Sequence, residues 1–160
     1  MPTAANAGLE VFERIIDAPG SLLALDTDDG TQLIEQFRMI ARRSGQAIYM
    51  WRGNEGLTGL REAQMKVPGC LRLGDALRYI LQSLHFGVYV LFVGDLVLSA
   101  TDSALLRQIS RTPTEHIRRV VLVDASPLAI GALENTLIRL GGQTIVSRTR
   151  PRLRDGRWIT

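Results

Sequence analysis

Five short apolar runs, separated by longer segments with helical periodicity, set the pattern of this chain. Apolar runs bounded by turn residues are typical of strands that are buried on both faces of a parallel sheet. We therefore predict five strands, at residues 21–26, 47–51, 88–93, 120–123 and 144–146.

The segments between these runs predict helices. Leu33, Phe37 and Ile40 follow one another at helical spacing, with Asp29 placed to cap the helix and Gly45 placed to end it. An earlier amphipathic helix is predicted over residues 7–17. Three later helices are predicted to begin at Asp75, at Thr101 or Asp102, and at Ser126-Pro127, the last one ending at Gly141-Gly142.

Alternating strands and helices predict right-handed crossovers between parallel strands. The predicted fold class is α/β, a three-layer sandwich with a mostly parallel five-stranded sheet and helices on both faces, Rossmann-like or P-loop-like without a P-loop. Residues 1–19 are predicted to form an N-terminal helix, 20–147 a single α/β domain and 148–160 an Arg-rich tail. Residues 52–73 are rich in glycine and lack a clear period, which predicts a loop or a small insertion.

The predicted N-terminal helix lies outside the α/β unit, and its apolar face needs a cover. The cover comes either from the same chain or from another one, and we expect that a second copy can provide it by forming a homo-oligomer. The single cysteine, Cys70, excludes an intrachain disulfide, and the sequence contains neither a long uncharged apolar run nor a signal-peptide pattern. These features predict a cytoplasmic protein without a transmembrane segment.

The positive charge of the chain is concentrated at its C-terminal end. The formal net charge is +3, yet residues 1–147 hold 14 basic and 15 acidic residues. The last 13 residues contain one aspartate and five arginines, namely Arg148, Arg150, Arg152, Arg154 and Arg157. Guanidinium groups pair with carboxylates and phosphates alike. The tail is therefore a candidate surface for a protein partner, for nucleic acid or for another anionic surface.

Several familiar catalytic motifs are missing from the sequence. A P-loop requires a Gly-Lys pair, but the only lysine, Lys66, follows a methionine. The dinucleotide fingerprint requires Gly-x-Gly, which does not occur, and Gly-x-Ser-x-Gly is absent as well. One cysteine and two scattered histidines, His85 and His116, give no zinc-site spacing. We therefore predict a protein that is not an enzyme and has no cofactor.

Aspartates end three of the predicted strands. Asp26, Asp95 and Asp124 each follow an apolar run, and Ser126 lies just after the last of them. The carboxyl ends of parallel strands meet at one edge of a sheet, so these side chains could together hold a ligand or Mg²⁺, which prefers oxygen atoms. Alternatively, each aspartate simply begins a turn or caps the next helix. The sequence leaves both interpretations open.

The order of segments resembles a known family. Residues 21–27, residues 46–51 with 55–57 after them, and residues 87–92 look like the N-terminal RecA-like domain of AAA-type ATPases related to the chloroplast-encoded hypothetical ATPases. In that family this domain lacks an intact P-loop and precedes the true ATPase domain. The resemblance implies a degenerate nucleotide-binding fold, with Asp95 at the Walker-B-like strand end and residues 124–126 at the end of the sensor-like strand.

A second resemblance is to receiver domains of two-component signalling. Four aspartates are similar in position to the acidic residues of those domains, namely Asp26, Asp28, Asp29 and Asp95. The Ser or Thr expected after the fourth strand corresponds to Asp124 or, with a shift, to Ser126. The expected lysine is replaced by Arg148, which does not make the same compact contact with a phosphoryl group. A pseudo-receiver is the implied variant.

These observations lead to one functional prediction and one alternative. We predict a non-catalytic regulatory or scaffolding α/β domain that acts through protein–protein interaction. The alternative is a pseudo-receiver, or a Mg²⁺-dependent sensor of a nucleotide or another small molecule, that uses the strand-end aspartates.

Overall fold

The computed structural model describes residues 4–62 and 65–140 of the chain. Its helices are α1 (Ala4–Asp17), α2 (Gly30–Ser44), α3 (Leu73–Gln82), α4 (Ala100–Arg111) and α5 (Pro127–Ala132), the last followed by a 3-10 turn at Glu134–Thr136. Its strands are β1 (Leu22–Leu25), β2 (Ile48–Arg52), β3 (Gly56–Gly59), β4 (Met65–Lys66), β5 (Gly87–Phe92), β6 (Arg118–Val123) and β7 (Ile138–Arg139). The fold class is α/β, as the sequence predicts.

Helix α2 begins and ends where the sequence predicts. The carboxylate of Asp29 accepts a hydrogen bond from the backbone N–H of Gln32 at 3.0 Å, which satisfies one of the unpaired amides of the first turn. Gly45 ends the helix with a φ of 75°, a left-handed conformation that glycine adopts without steric cost.

The seven strands form one mixed sheet in the order β4-β3-β2-β5-β6-β1-β7. The pairs β2–β5, β5–β6, β6–β1 and β1–β7 are parallel, whereas β2–β3 and β3–β4 are antiparallel. Within residues 4–62 and 65–140, the sheet therefore has seven strands, whereas the sequence pattern predicts five for the chain. Residues 52–73, predicted as a loop or a small insertion, contain β3 and β4. The sequence pattern does not show these strands, because β3 begins and ends with glycine and β4 has only two residues.

The C-terminal part of the fold also differs from the prediction. The helix that begins after Ser126 ends at Ala132, well before Gly141-Gly142. The apolar residues after it form the 3-10 turn and then β7, where Ile138 pairs with Leu23 of β1. Strand pairing along the open edge of β1 thus replaces the last two helical turns that periodicity predicts. The predicted strand 144–146 lies outside the described residues.

Helices pack on both faces of the sheet. Alternate residues of a strand point to opposite faces. Val90 and Val121 belong to a core that α1 and α2 cover, whereas their neighbours Tyr89 and Leu122 belong to a second core, which α3 and α4 cover. The central strands are therefore buried on both sides, which explains why they are continuous apolar runs.

Helix α1 is part of the first core. Val11, Phe12 and Ile15 are buried, and the rings of Phe12 and Phe37 meet edge to face with 5.7 Å between their centroids. The apolar face for which the sequence predicts a cover, from the same chain or from another, is therefore covered within the same chain.

Two adjacent arginines at the start of β6 bind helix ends on opposite faces of the sheet. Arg118 is only 1% exposed and donates hydrogen bonds of 3.4–3.5 Å to four carbonyls, those of Ile80 and Leu81 at the end of α3 and of Ile109 and Thr112 at the end of α4. The carbonyls at a helix C-terminus carry partial negative charge, so a cation there stabilises both helices.

Arg119 binds a helix end on the other face of the sheet. Its guanidinium donates to the carbonyls of Ile15, Ile16 and Ala18, at 2.9, 2.8 and 3.1 Å, and so caps the end of α1. Strand alternation sends these two neighbouring side chains to opposite sides of the sheet. Together they join β6 to three helices.

Candidate functional site

The loops after β1, β5 and β6 lie at the carboxyl end of the parallel strands, where open α/β sheets bind ligands. We call residues 26–29, 93–99 and 124–126 the carboxyl edge. These three loops contain five aspartates and no lysine or arginine. The edge is therefore a surface of negative charge, and it contains all four of the predicted ligand residues.

Asp124 joins two of these loops. Its backbone N–H donates to the carbonyl of Leu25 at 2.9 Å, and its Oδ1 accepts from the backbone N–H of Thr27 at 2.9 Å. Its φ is 56°, the one positive value among the non-glycine residues that the structure describes. Aspartate tolerates this left-handed conformation better than most residues do. Asp124 thus shapes the loop after β1.

The other predicted residues have different surroundings. Asp26 is exposed at the end of β1, and Asp95 is exposed in the loop after β5. Ser126 is the N-cap of α5, and its Oγ accepts from the backbone N–H of Ala129 at 3.2 Å. The turn-and-cap interpretation therefore describes Asp124 and Ser126 directly.

The carboxyl of Asp124 has a raised pKa. Partial burial is the main cause, and the neighbouring carboxylates of Asp26 and Asp28 add to it, whereas the hydrogen bond from Thr27 acts in the opposite direction. Asp124 therefore binds its proton more tightly in the folded protein than in the unfolded chain.

This gives a pH-dependent prediction for Asp124→Asn. Asparagine keeps the acceptor for Thr27 and tolerates a positive φ, but it removes the repelling charge, so we expect the Tm at pH 7 to rise by about 1 °C. A raised pKa in the folded state means that the wild-type protein loses stability as the pH rises above the ordinary aspartate pKa. Thermal unfolding of both proteins should therefore show the gain at pH 7 and lose it near about pH 4.

Asp124→Ala is the matched control. Alanine offers no acceptor to Thr27, and the left-handed conformation costs it about 1 kcal/mol, so this variant should melt below the wild type at both pH values. An Asp124→Asn gain of the same size at both pH values would contradict the role given to the charge.

The N-terminus of α2 is occupied by the protein's own carboxylate. In P-loop proteins a glycine-rich loop between strand and helix wraps a phosphate with backbone amides. Here only residues 26–29 join β1 to α2, and three of these four residues are aspartates. The carboxylate of Asp29 already accepts the hydrogen bond of the Gln32 backbone N–H. A phosphate at this position would meet negative charge in place of a cradle of donors.

A cation at the end of β2 borders the carboxyl edge, and sequence reasoning did not find it. The guanidinium of Arg52, at the end of β2, lies over the ring of Phe92, 4.5 Å from its centroid. Phe92 also lies under the first turn of α2, because a Cβ on Gly30 would come within 2.8 Å of its ring. The ring therefore holds Arg52 at the side of the edge. In the sequence, the signal that could have identified Arg52 was a basic residue directly after a predicted strand.

Exposed apolar side chains also lie at the carboxyl edge. Leu96 is 41% exposed, Val97 76% and Leu128 76%. Leu96 and Val97 belong to the loop after β5, and Leu128 belongs to the first turn of α5, which begins at the same edge. We call these three residues the apolar rim. Large apolar residues in a loop between a strand and a helix were the signal that sequence reasoning passed over.

Metal-binding and reactive groups are few in the described part of the chain. No group of three or more His, Cys, Asp or Glu side chains in residues 4–62 and 65–140 is arranged to hold a metal ion. Cys70 is buried, and this burial raises the pKa of its thiol, which lowers its reactivity.

The five arginines of the predicted tail, residues 148–157, lie outside the described residues. Within the residues that are described, none of the helices is both long and apolar enough to span a bilayer. Comparison of the chain with protein-family models, with curated proteins and with solved structures gives no match. The function must therefore be inferred from the residues and their geometry.

Proposed function

We propose that this chain is a non-catalytic regulatory or scaffolding α/β domain that binds a protein partner at its carboxyl edge. The observation that carries the proposal is the apolar rim beside the acidic loops, at the place where α/β sheets bind ligands. We propose that it acts in the cytoplasm. Disulfides are rare in that reducing compartment, and the single cysteine of this chain cannot form one within the chain.

We further propose a RecA-like, degenerate nucleotide-binding fold for this domain, because the strand order argues against the receiver-like alternative. Strand β1 lies between β6 and β7, so β6 separates β1 from β5. Flavodoxin-like domains such as receivers instead place their first strand between the second and third strands. We therefore favour the RecA-like resemblance over the receiver.

The chemistry of the edge supports a role without nucleotide turnover. Asp29 caps the helix that would otherwise accept a phosphate, and Asp26 and Asp28 add charge of the same sign. ATP or GTP would have to bring its phosphates against these carboxylates.

The apolar rim supports a protein as the ligand. Exposed leucine and valine side chains at one edge of the sheet are typical of an interaction surface, whereas small-molecule sites are concave. The acidic loops around the rim would select a partner segment that carries basic residues, because complementary charges steer association and exclude other partners.

A site-specific photocrosslinker tests this proposal in the cells that produce the protein. We expect a crosslinking residue at Val97 or Leu128 to capture one protein reproducibly. Leu84 provides the matched control, since it is 78% exposed but lies between α3 and β5, at the opposite end of the strands. A crosslinking residue there should not capture that protein.

In the double variant Val97→Asp/Leu128→Asp, a crosslinking residue at Leu96 should no longer capture the same protein. The Tm of this purified variant should stay within about 2 °C of the wild-type Tm. Equal capture from Val97 and Leu84, or capture that survives the aspartate substitutions, would refute the proposal.

A second candidate function is a Mg²⁺-dependent sensor of a nucleotide or another small molecule. The raised pKa of Asp124 and the proximity of Asp26 favour it, because a divalent cation would relieve the repulsion between these carboxylates. This candidate requires that Mg²⁺, alone or with ATP, GTP or beryllofluoride, raise the Tm of the wild type and not that of Asp95→Asn or Asp124→Asn. A Tm unchanged across that panel rejects it.

A further inference from the structure

We propose that residues 148–159 of this chain bind the carboxyl edge and the apolar rim of their own domain. The inference rests on the proposed function in one respect, since it takes the same edge as the binding surface. It goes further by naming what occupies this surface when no partner is bound.

The direction of β7 brings the end of the chain to the carboxyl edge. Strand β7 runs parallel to β1, with Ile138 beside Leu23 and Arg139 beside Ala24. The backbone N–H of Leu140 then donates to the carbonyl of Ala24 at 3.0 Å. The chain therefore leaves the described part of the structure at Leu140, one residue short of the level of Asp26, beside the acidic loops.

The chain length between this point and the arginines is sufficient to cross the edge. Nine residues after Arg139 reach Arg148 and can span up to about 30 Å. Three neighbouring strand spacings separate β7 from β5, which amounts to about 14 Å. The arginines can therefore reach every loop of the edge, including that of Asp95.

The composition of residues 148–159 complements the edge in two ways. The segment contains five arginines, and the loops of the edge contain five aspartates. The segment also contains the apolar residues Leu153, Trp158 and Ile159, which match the exposed leucine and valine side chains of the rim. Guanidinium groups bind carboxylates with strong, charge-assisted hydrogen bonds, and the apolar contacts remove exposed surface from water.

The covalent connection makes a weak contact sufficient. A short tether gives the segment an effective concentration in the millimolar range at the edge, so that even a contact of millimolar affinity is populated. A partner with a basic segment would have to displace residues 148–159 before it binds. The tail would thus set the threshold for partner binding.

Photocrosslinking of the purified full-length protein tests the inference. We expect a crosslinking residue at Val97 to react with residues 148–160 of the same chain, identified by peptide mass spectrometry in the fraction with monomer mass. The same residue at Leu84, equally exposed at the other end of the strands, should not react with that segment. Raising NaCl from about 0.1 M to 1 M shortens the Debye length from about 10 Å to 3 Å and should remove more than about half of the product.

Two variants show whether charge is responsible. Substitution of all five tail arginines by glutamine should abolish the Val97 product. The control Arg42→Gln with Arg43→Gln alters two exposed arginines near the end of α2, away from the edge, and should leave the product unchanged.

Each remaining outcome overturns the inference. Products of equal yield from Val97 and Leu84, no tail product, or a product that persists in the five-glutamine variant would all reject it. Products that join two chains would show that the occupant is a second copy.

The two proposals can fail separately. The purified protein contains no partner, so a negative result in this experiment leaves the proposed function intact. A tail product without partner capture in cells would reject only the proposed function.

Discussion

Replacing Arg118 with methionine is expected to lower the free energy of unfolding by about 3 kcal/mol. Methionine roughly preserves the volume of the side chain but removes the donors for four helix-end carbonyls. Those carbonyls remain inside the protein, and an unpaired buried acceptor costs about 1–3 kcal/mol. The ends of α3 and α4 also lose the positive charge that offsets their dipoles.

Urea unfolding monitored by circular dichroism measures this effect, with Arg42→Met as the control. Arg42 is exposed, so its substitution should change the free energy of unfolding by no more than about 0.5 kcal/mol. Arg118→Lys should lie between the two, because an ammonium is a point charge that cannot serve two helix ends at once. A loss of less than about 0.5 kcal/mol in Arg118→Met would show that the four hydrogen bonds contribute no net stability.

Removal of the first helix is expected to unfold the domain. If residues 1–19 were a separate element, the chain from residue 20 onward would melt like the full-length protein. Instead, Val11, Phe12 and Ile15 are buried against α2 and the sheet, and each contributes about 1.5–3 kcal/mol. Their sum is comparable with the whole stability of a typical domain. Arg119 would in addition lose its three acceptors on α1 and the turn after it.

Phe12→Ala gives a graded version of this test. Its ring is 4% exposed and packs against Phe37, so we expect a loss of about 3–5 kcal/mol in the free energy of unfolding. Leu9→Ala is the control on the same helix, because Leu9 is 42% exposed and should cost less than about 1 kcal/mol. Equal losses for the two variants, or a chain from residue 20 that unfolds cooperatively at the wild-type Tm, would show that α1 is not part of the core.

Part of the candidate site can be predicted from the sequence pattern, and the rest depends on the tertiary structure. Asp26, Asp95 and Asp124 could be placed at one edge from the sequence, because each follows an apolar run and parallel strands end together. The link between Asp124 and Thr27 could not, since it joins residues 97 positions apart. Arg52 over Phe92 and the exposure of Val97 likewise depend on how separate loops pack.

By itself, the sequence determined those features that depend on near neighbours. The apolar runs placed β1, β2, β5 and β6, and Asp29 and Gly45 fixed the ends of α2, because strand burial and helix capping are governed by residues a few positions apart. The tertiary structure alone decided the positions of β3, β4 and β7, which are short strands stabilised by pairing with an existing sheet edge.

The tertiary structure also decided the role of the charges in β6. In the sequence Arg118 and Arg119 form a basic pair at the head of an apolar strand, with nothing to distinguish them from surface residues. Their guanidinium groups become structural because the helices on both faces end beside them, and a helix end exposes carbonyls that need a donor. The helices that end beside β6 are set by contacts between residues up to about a hundred positions apart, so a local sequence pattern cannot predict them.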